Sequence, residues 1–138
     1  MDVCCYNRPF DDLSQERVHI EAAAVRSIIT HCKQGDWILV ASSVIERELL
    51  KLRDADRLKK VQNLYSVATE WVEITSTTEQ RSAELQLHGV KRVDSLHVAL
   101  AEMCGAVFLT TDDRLLRAVN GIGCKAYNPA IWLMEILK

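Results

Sequence analysis

The sequence predicts an α/β fold of three layers, α/β/α, around a mainly parallel sheet of about five strands. Helical and strand-like patterns alternate along the chain, which is the signature of crossover-connected parallel strands. Two strand-length runs, Trp37–Ala41 and Ala106–Leu109, are continuously apolar, as strands buried on both faces are. The segments between such runs repeat their apolar residues at helical spacing and are long enough to cross over.

Met1 to Cys5 is a very short apolar start in which Cys4 and Cys5 read as small strand residues. A polar loop follows from Tyr6 to Ser14. Val18, Ala22, Val25, Ile29 and Cys32 recur at helical spacing, predicting a helix over 15–34 that Gly35 stops. After the Trp37–Ala41 strand, Ser43-Val44-Ile45-Glu46 fits a capping box in which Glu46 reaches back to the Ser43 amide. Asp54 or Asp56 can cap a helix whose core positions are Leu58, Val61, Leu64, Tyr65 and Ala68. Trp71–Thr75 alternates and reads as an edge strand, and Thr77 or Thr78 opens a helix to Gly89. Lys91-Arg92 lead into a helix carrying Val93, Leu96, Leu100 and Cys104, ended by Gly105. The Ala106–Leu109 strand, a short helix from Arg114 to Val119 and a last strand at Cys124–Tyr127 follow. Asn128-Pro129 starts the final helix, with Pro at a tolerated first-turn position. Trp37, Trp71 and Trp132 lie in apolar runs and read as core.

At 138 residues the chain is one domain by length, 1–138. Apolar content of 49% with 26% charged residues excludes a disordered chain. No apolar run approaches the roughly 20 residues of a membrane span, and no basic segment precedes an apolar leader. The five cysteines form no C-x-x-C pair and are odd in number, which suits a reducing, cytoplasmic setting. A net charge of −2 neither marks nor excludes a nucleic-acid partner, because clustered acids hide positive charge elsewhere.

The chemistry lies in the acids. At 100° per residue Val44, Ile45, Leu49 and Leu52 define an apolar arc, and Glu48 falls inside it. A carboxylate there is costly unless paired, so Glu48 is either a site residue or a solvated rim residue. Asp94 stands among core-facing residues near a helix start, and Asp112 and Asp113 stand where a strand runs out. In open α/β sheets, ligands collect outside the carboxyl ends of strands. Asp2, Glu48, Asp94 and Asp112 are therefore candidates for one site. Two unit charges about 4 Å apart repel by about 4 kcal/mol at an effective dielectric near 20, so such a cluster asks for a cation. Hard oxygen ligands favour Mg²⁺ or Mn²⁺.

The order of these acids and their surroundings resembles the PIN domain, a family of metal-dependent ribonucleases that includes the VapC toxins. Asp2 corresponds to the early acid that ends a first strand, and Ser42 to Glu48-Leu49 to a Ser-x5-Glu-Leu helix start. Val93-Asp94-Ser95-Leu96-His97-Val98-Ala99 resembles the D-x-L-H-x-A helix. Leu109-Thr110-Thr111-Asp112 resembles the L-x-T-x-D strand end, which favours Asp112 over Asp113. The resemblance spans nearly the whole chain. It implies cleavage of single-stranded RNA with Asp2, Glu48, Asp94 and Asp112 around Mg²⁺ or Mn²⁺, a cognate antitoxin and a homodimer. Two departures stand out. Val3 and Cys4 replace the usual Thr-Asn after the first acid, moving that orienting role to Asn7 or leaving it empty. Only Met1 precedes Asp2, where a strand of about five residues is expected. Either the native chain starts upstream or Asp2 sits on a frayed end, and apolar residues restored before it are expected to raise thermal stability.

Around the acids, His97 either meets substrate phosphate or is a satisfied helix residue beside the core. Asp113 is a further ligand or a helix cap. Arg8, Lys91, Arg92 and Arg114 flank the crevice, where they meet RNA phosphate or only solvent. A phosphoacceptor module of the receiver type needs an acceptor Asp after the third strand, and that strand ends Glu73-Ile74-Thr75. A non-catalytic PIN-like module that binds protein or RNA remains the alternative.

Overall fold

The computed structural model describes residues 1–138. The chain is α/β and mostly helical. In order it runs α1 (Val3–Asn7), a 3₁₀ turn (Arg8–Phe10), α2 (Glu16–Gln34), β1 (Val40–Ser42), α3 (Ser43–Leu49), α4 (Ala55–Tyr65) and β2 (Glu70–Val72). It continues with α5 (Ser76–Leu87), α6 (Arg92–Met103), β3 (Phe108–Leu109), α7 (Asp113–Asn120), β4 (Ala126–Tyr127) and α8 (Pro129–Ile136). β1 pairs in parallel with β2, Val40 opposite Glu70, and β3 pairs in parallel with β4, Phe108 opposite Ala126. No helix is long and apolar enough to cross a membrane.

β3 has helices on both faces because neighbouring strand residues point opposite ways. Leu109 packs in one cluster with Tyr6, Val25, Ile29, Ile45 and Val61, contributed by α1, α2, α3 and α4. Phe108 packs in another with Leu85, Val98, Leu115 and Val119, from α5, α6 and α7. Each such buried side chain contributes roughly 1.5–3 kcal/mol. The helices follow their expected patterns closely. α2 buries Val18, Ala22, Val25, Ile29 and Cys32 and ends at Gly35, whose φ of 88° is the left-handed conformation that glycine adopts freely. Asp54 and Asn128 cap α4 and α8 with their side chains.

The sheet differs from expectation. Instead of one sheet of about five strands there are two separate pairs. The run Trp37–Ala41 is strand only from Val40, and Ile38 is 61% exposed. Residues 71–75 form strand only to Val72, because Thr75 turns out to be the cap of α5 in a reciprocal box with Thr78. Trp71 is 47% exposed and is not core, since β2 is an edge strand. Cys4 and Cys5 lie in a helix, because the Asp2 side chain caps α1 by accepting the Cys5 amide. The capping box at Ser43 is also not formed. Ser42 is the cap, its hydroxyl accepting the Ile45 amide, and this leaves Glu46 exposed near the Tyr65 hydroxyl.

Candidate active site

Asp2 is anchored three ways. Its backbone N–H donates to the Leu109 carbonyl at 3.2 Å, tying the start of the chain to β3. One carboxylate oxygen accepts the Cys5 amide at 3.1 Å, and the other accepts the Thr110 hydroxyl. The side chain is 5% exposed, and burial pushes its pKa up.

Thr110 directly follows β3 and is fully buried. Its hydroxyl donates to Asp2 and accepts the Asp112 N–H at 3.1 Å, so one oxygen links two of the four acids. Asp112 in turn caps α7, with Oδ1 accepting the amides of Arg114 and Leu115 at 3.0 and 3.3 Å. Asp94 lies half-buried in the first turn of α6. Burial raises its pKa, and the charges of Asp2, Asp112 and Glu48 push the same way. Glu48 reaches from α3 to His97 Nε2 on α6. His97 is 5% exposed and its ring stacks on Phe108 at 5.7 Å.

These four acids come from four elements and act in one electrostatic field. The Cys4 thiol reports it. Loss of hydration pushes that thiol up to about 12, with Asp2, Asp112, Glu48 and Asp94 all adding to the rise. His97 opposes the rise at Asp2 and Asp94, and the amino terminus opposes it at Asp2. The spacing of the four acids is nevertheless open, and no group of three or more acid, His or Cys side chains stands close enough to hold one ion. The donor chemistry, four hard oxygen groups that repel one another, fits a hard divalent cation. The side-chain positions do not yet form its shell.

Several flanking residues are committed elsewhere. Arg8, expected beside RNA phosphate, is engaged by acids of the chain itself. Its guanidinium pairs with Glu21 at 2.9 Å and Asp11 at 3.3 Å, because the turn after α1 sets it against α2. Asp113 is not the cap of α7, which is Asp112. Arg17 clamps both oxygens of Asp113 at 2.7 and 2.8 Å and holds that carboxyl's pKa below the usual carboxylate range. Asn7 does not orient Asp2, which Thr110 and the Cys5 amide hold instead, and the Asn7 Oδ1 is buried without a protein partner. Lys91, Arg92 and Arg114 are exposed, at the starts of the helices that carry Asp94 and follow Asp112. No family model, curated protein or solved structure matches this chain.

Two predictions follow from these bonds. Thr110→Val keeps the shape of the side chain but strands the Asp112 N–H and removes a donor from buried Asp2. A loss of about 2 kcal/mol is expected in urea unfolding. The second concerns pH. The folded pKa values of Asp2 and Asp94 lie above the ordinary 3.8, so the folded state holds these protons more tightly than the unfolded chain. Their contribution is full below 3.8 and is lost as pH rises through the raised values. Asp113 runs the other way. Its contribution is present above 3.8 and fades only as pH falls through its lowered value. Thermal melts in chelator are therefore expected to show a Tm contribution from Asp2 and Asp94 that falls as pH rises above 3.8 and that Asp94→Asn reduces, and a wild type and variant with the same pH trend count against the buried acids as its source.

Proposed function

We propose that this chain is a metal-dependent endoribonuclease of the PIN type, cleaving single-stranded RNA, and the toxin of a toxin–antitoxin pair. The observation that carries this is the convergence of Asp2, Glu48, Asp94 and Asp112, from four separate elements, in one electrostatic field that raises both the Cys4 thiol and the Asp94 carboxyl. These four acids would hold Mg²⁺ or Mn²⁺. A bound ion of this kind supplies Lewis-acid activation of water and stabilises charge on a phosphodiester undergoing displacement.

The chain's own groups divide the remaining work. Asp94 makes no side-chain hydrogen bond and has a raised proton affinity, so its carboxylate is free to take the proton of the attacking water. Thr110 keeps Asp2 and Asp112 in fixed relation, and His97 holds Glu48. Exposed Lys91, Arg92 and Arg114 offer contacts to the RNA backbone, whose strength falls with salt. The motifs Val93–Ala99 and Leu109–Asp112 support the same reading, as does an α/β fold whose strands pair in parallel. A cognate antitoxin and a homodimer belong to the proposal by family resemblance.

The second reading is a PIN-like module that binds protein or RNA without cutting. The engagement of Glu48 with His97 and the open spacing of the acids favour it. Incubation of the protein and its Asp94→Asn variant with single-stranded RNA and Mn²⁺ separates the two. Cleavage by the wild type alone supports the enzyme, and equal inertness of both with Mg²⁺ and Mn²⁺ favours the binding module.

A further inference from the structure

Asp112 lies in the short link from β3 to α7, residues 110–112. A carboxylate on such a link keeps one direction only if the backbone on both sides of it is fixed. On the inner side the Thr110 hydroxyl accepts the Asp112 N–H at 3.1 Å. On the outer side stands Arg17 of α2. Its Nη2 donates to the Thr111 carbonyl at 3.4 Å and to Asp113 Oδ1 at 2.8 Å, and its Nη1 donates to Asp113 Oδ2 at 2.7 Å. One planar guanidinium therefore grips the residue before Asp112 and the residue after it. Asp112 is straddled.

Local structure does not ask for a cation at this place. Arg17 stands in the first turn of α2, where the helix dipole favours an acid, so its position answers to what it bonds. The guanidinium is held from behind as well, because its Nε donates to Glu21 Oε2 at 3.2 Å. Glu21 is 2% exposed and is fixed in turn by Arg8 and the Asn128 amide. The grip on Asp113 is thus anchored in the interior, and a bidentate fork fixes direction as well as distance. The Asp113 side chain itself is half exposed and bonds only Arg17. A pair this exposed contributes little to stability, so its geometry matters more than its strength.

We propose that Arg17 is a positioning residue of the acid site: by gripping Thr111 and Asp113 it fixes the direction in which Asp112 presents its free oxygen to a divalent cation. That oxygen is Oδ2, since Oδ1 already accepts the Arg114 and Leu115 amides at 3.0 and 3.3 Å. The proposal rests on the metal-site reading above. It adds a residue from α2, 95 positions before Asp112 in the chain, that touches neither the acids of the site nor the ion. Partners that orient ligands from this distance typically govern metal affinity by about 10–100-fold.

The test measures Mn²⁺ binding, by the electron paramagnetic resonance signal of free Mn²⁺, and amide exchange in chelator. It compares the wild type with Arg17→Gln, Arg17→Lys, Asp113→Ala and the double variant Arg17→Gln/Asp113→Ala. Arg17→Gln is expected to weaken Mn²⁺ binding by about 10-fold or more. In the cation-free protein it is also expected to speed exchange of the Asp112 and Leu115 amides by about 10-fold. Arg17→Lys keeps the charge but loses the fork, and is expected to bind more weakly than the wild type. Asp113→Ala is expected to weaken binding like Arg17→Gln, and the double variant to be no weaker than either, because both remove one grip. Unchanged Mn²⁺ binding in Arg17→Gln overturns the proposal. So does tighter binding, which makes Asp113 a ligand that Arg17 holds back. Weakened binding that Asp113→Ala does not share, with a large loss of Tm, reduces Arg17 to a support of α2 and overturns it too. A wild type that binds no Mn²⁺ overturns the metal-site reading and this role with it, whereas wild type and Arg17→Gln binding equally overturns the role alone.

Discussion

Asp94→Asn is expected to lower manganese-dependent cleavage of single-stranded RNA by at least about 100-fold, a loss near 2.7 kcal/mol in the barrier. It is also expected to leave the cation-free protein no less stable than the wild type. Asp94 is half-buried and without a hydrogen-bond partner, and its carboxyl is raised by burial and then by the charges of Asp2, Asp112 and Glu48. An amide of the same shape removes that repulsion and breaks no bond of the fold. The same change removes the acid of the four whose carboxylate accepts no hydrogen bond from the chain and so can take a proton, so activity and stability should move in opposite directions. Strain of this kind is characteristic of functional sites. Cleavage assays and thermal melts in chelator measure the two effects. Undiminished cleavage by the variant would remove Asp94 from the chemistry, and a large loss of Tm would make it a structural residue.

Glu21→Ala is expected to cost about 3–5 kcal/mol, the usual penalty for breaking one side of a buried ion-pair network. Glu21 is 2% exposed, and both its oxygens are used. Arg8 bonds one at 2.9 Å, while Arg17 at 3.2 Å and the Asn128 amide bond the other. These contacts join α2 to the turn after α1 and to the cap of α8. Without the carboxylate, the guanidinium of Arg8 keeps only Asp11 at 3.3 Å, and Asn128 loses a buried acceptor. Against a total stability of about 5–15 kcal/mol for a domain of this size, the variant should sit close to unfolding. Urea titration of Glu21→Ala beside Glu21→Gln, which keeps the length and one acceptor, gives the measurement. A loss under about 1 kcal/mol for the alanine variant would mean that Arg8 finds water or Asp11 sufficient.

Glu21 also shows how far a sequence can be read. It falls three residues after Val18 and next to Ala22, on the same buried stripe of α2, so the reasoning that marks Glu48 as an acid on an apolar arc marks Glu21 equally. Both are paired in the fold, Glu48 with one histidine and Glu21 with two arginines and an asparagine. An acid on an apolar arc signals a partner, and the pattern does not say whether that partner is a cation of the chain or one from solution.

By itself the sequence determined the α/β class, the places of the long helices and the positions of the suspect acids. Periodicity, glycine stops and caps such as Asp54 and Asn128 act over a few residues, so they are written along the chain. The tertiary structure alone decided which apolar runs became strands and which charged residue met which. Trp37–Ala41 and Ala106–Leu109 are strand only where a partner bonds their edge, β2 for the one and β4 for the other. Glu48 found His97 across 49 residues, Arg17 found Asp113 across 96 and Thr110 found Asp2 across 108. Such pairs are set by how helices and strands pack, and local propensity carries no information about them. For that reason Arg8 and Asp113 looked available from the sequence and are occupied in the fold.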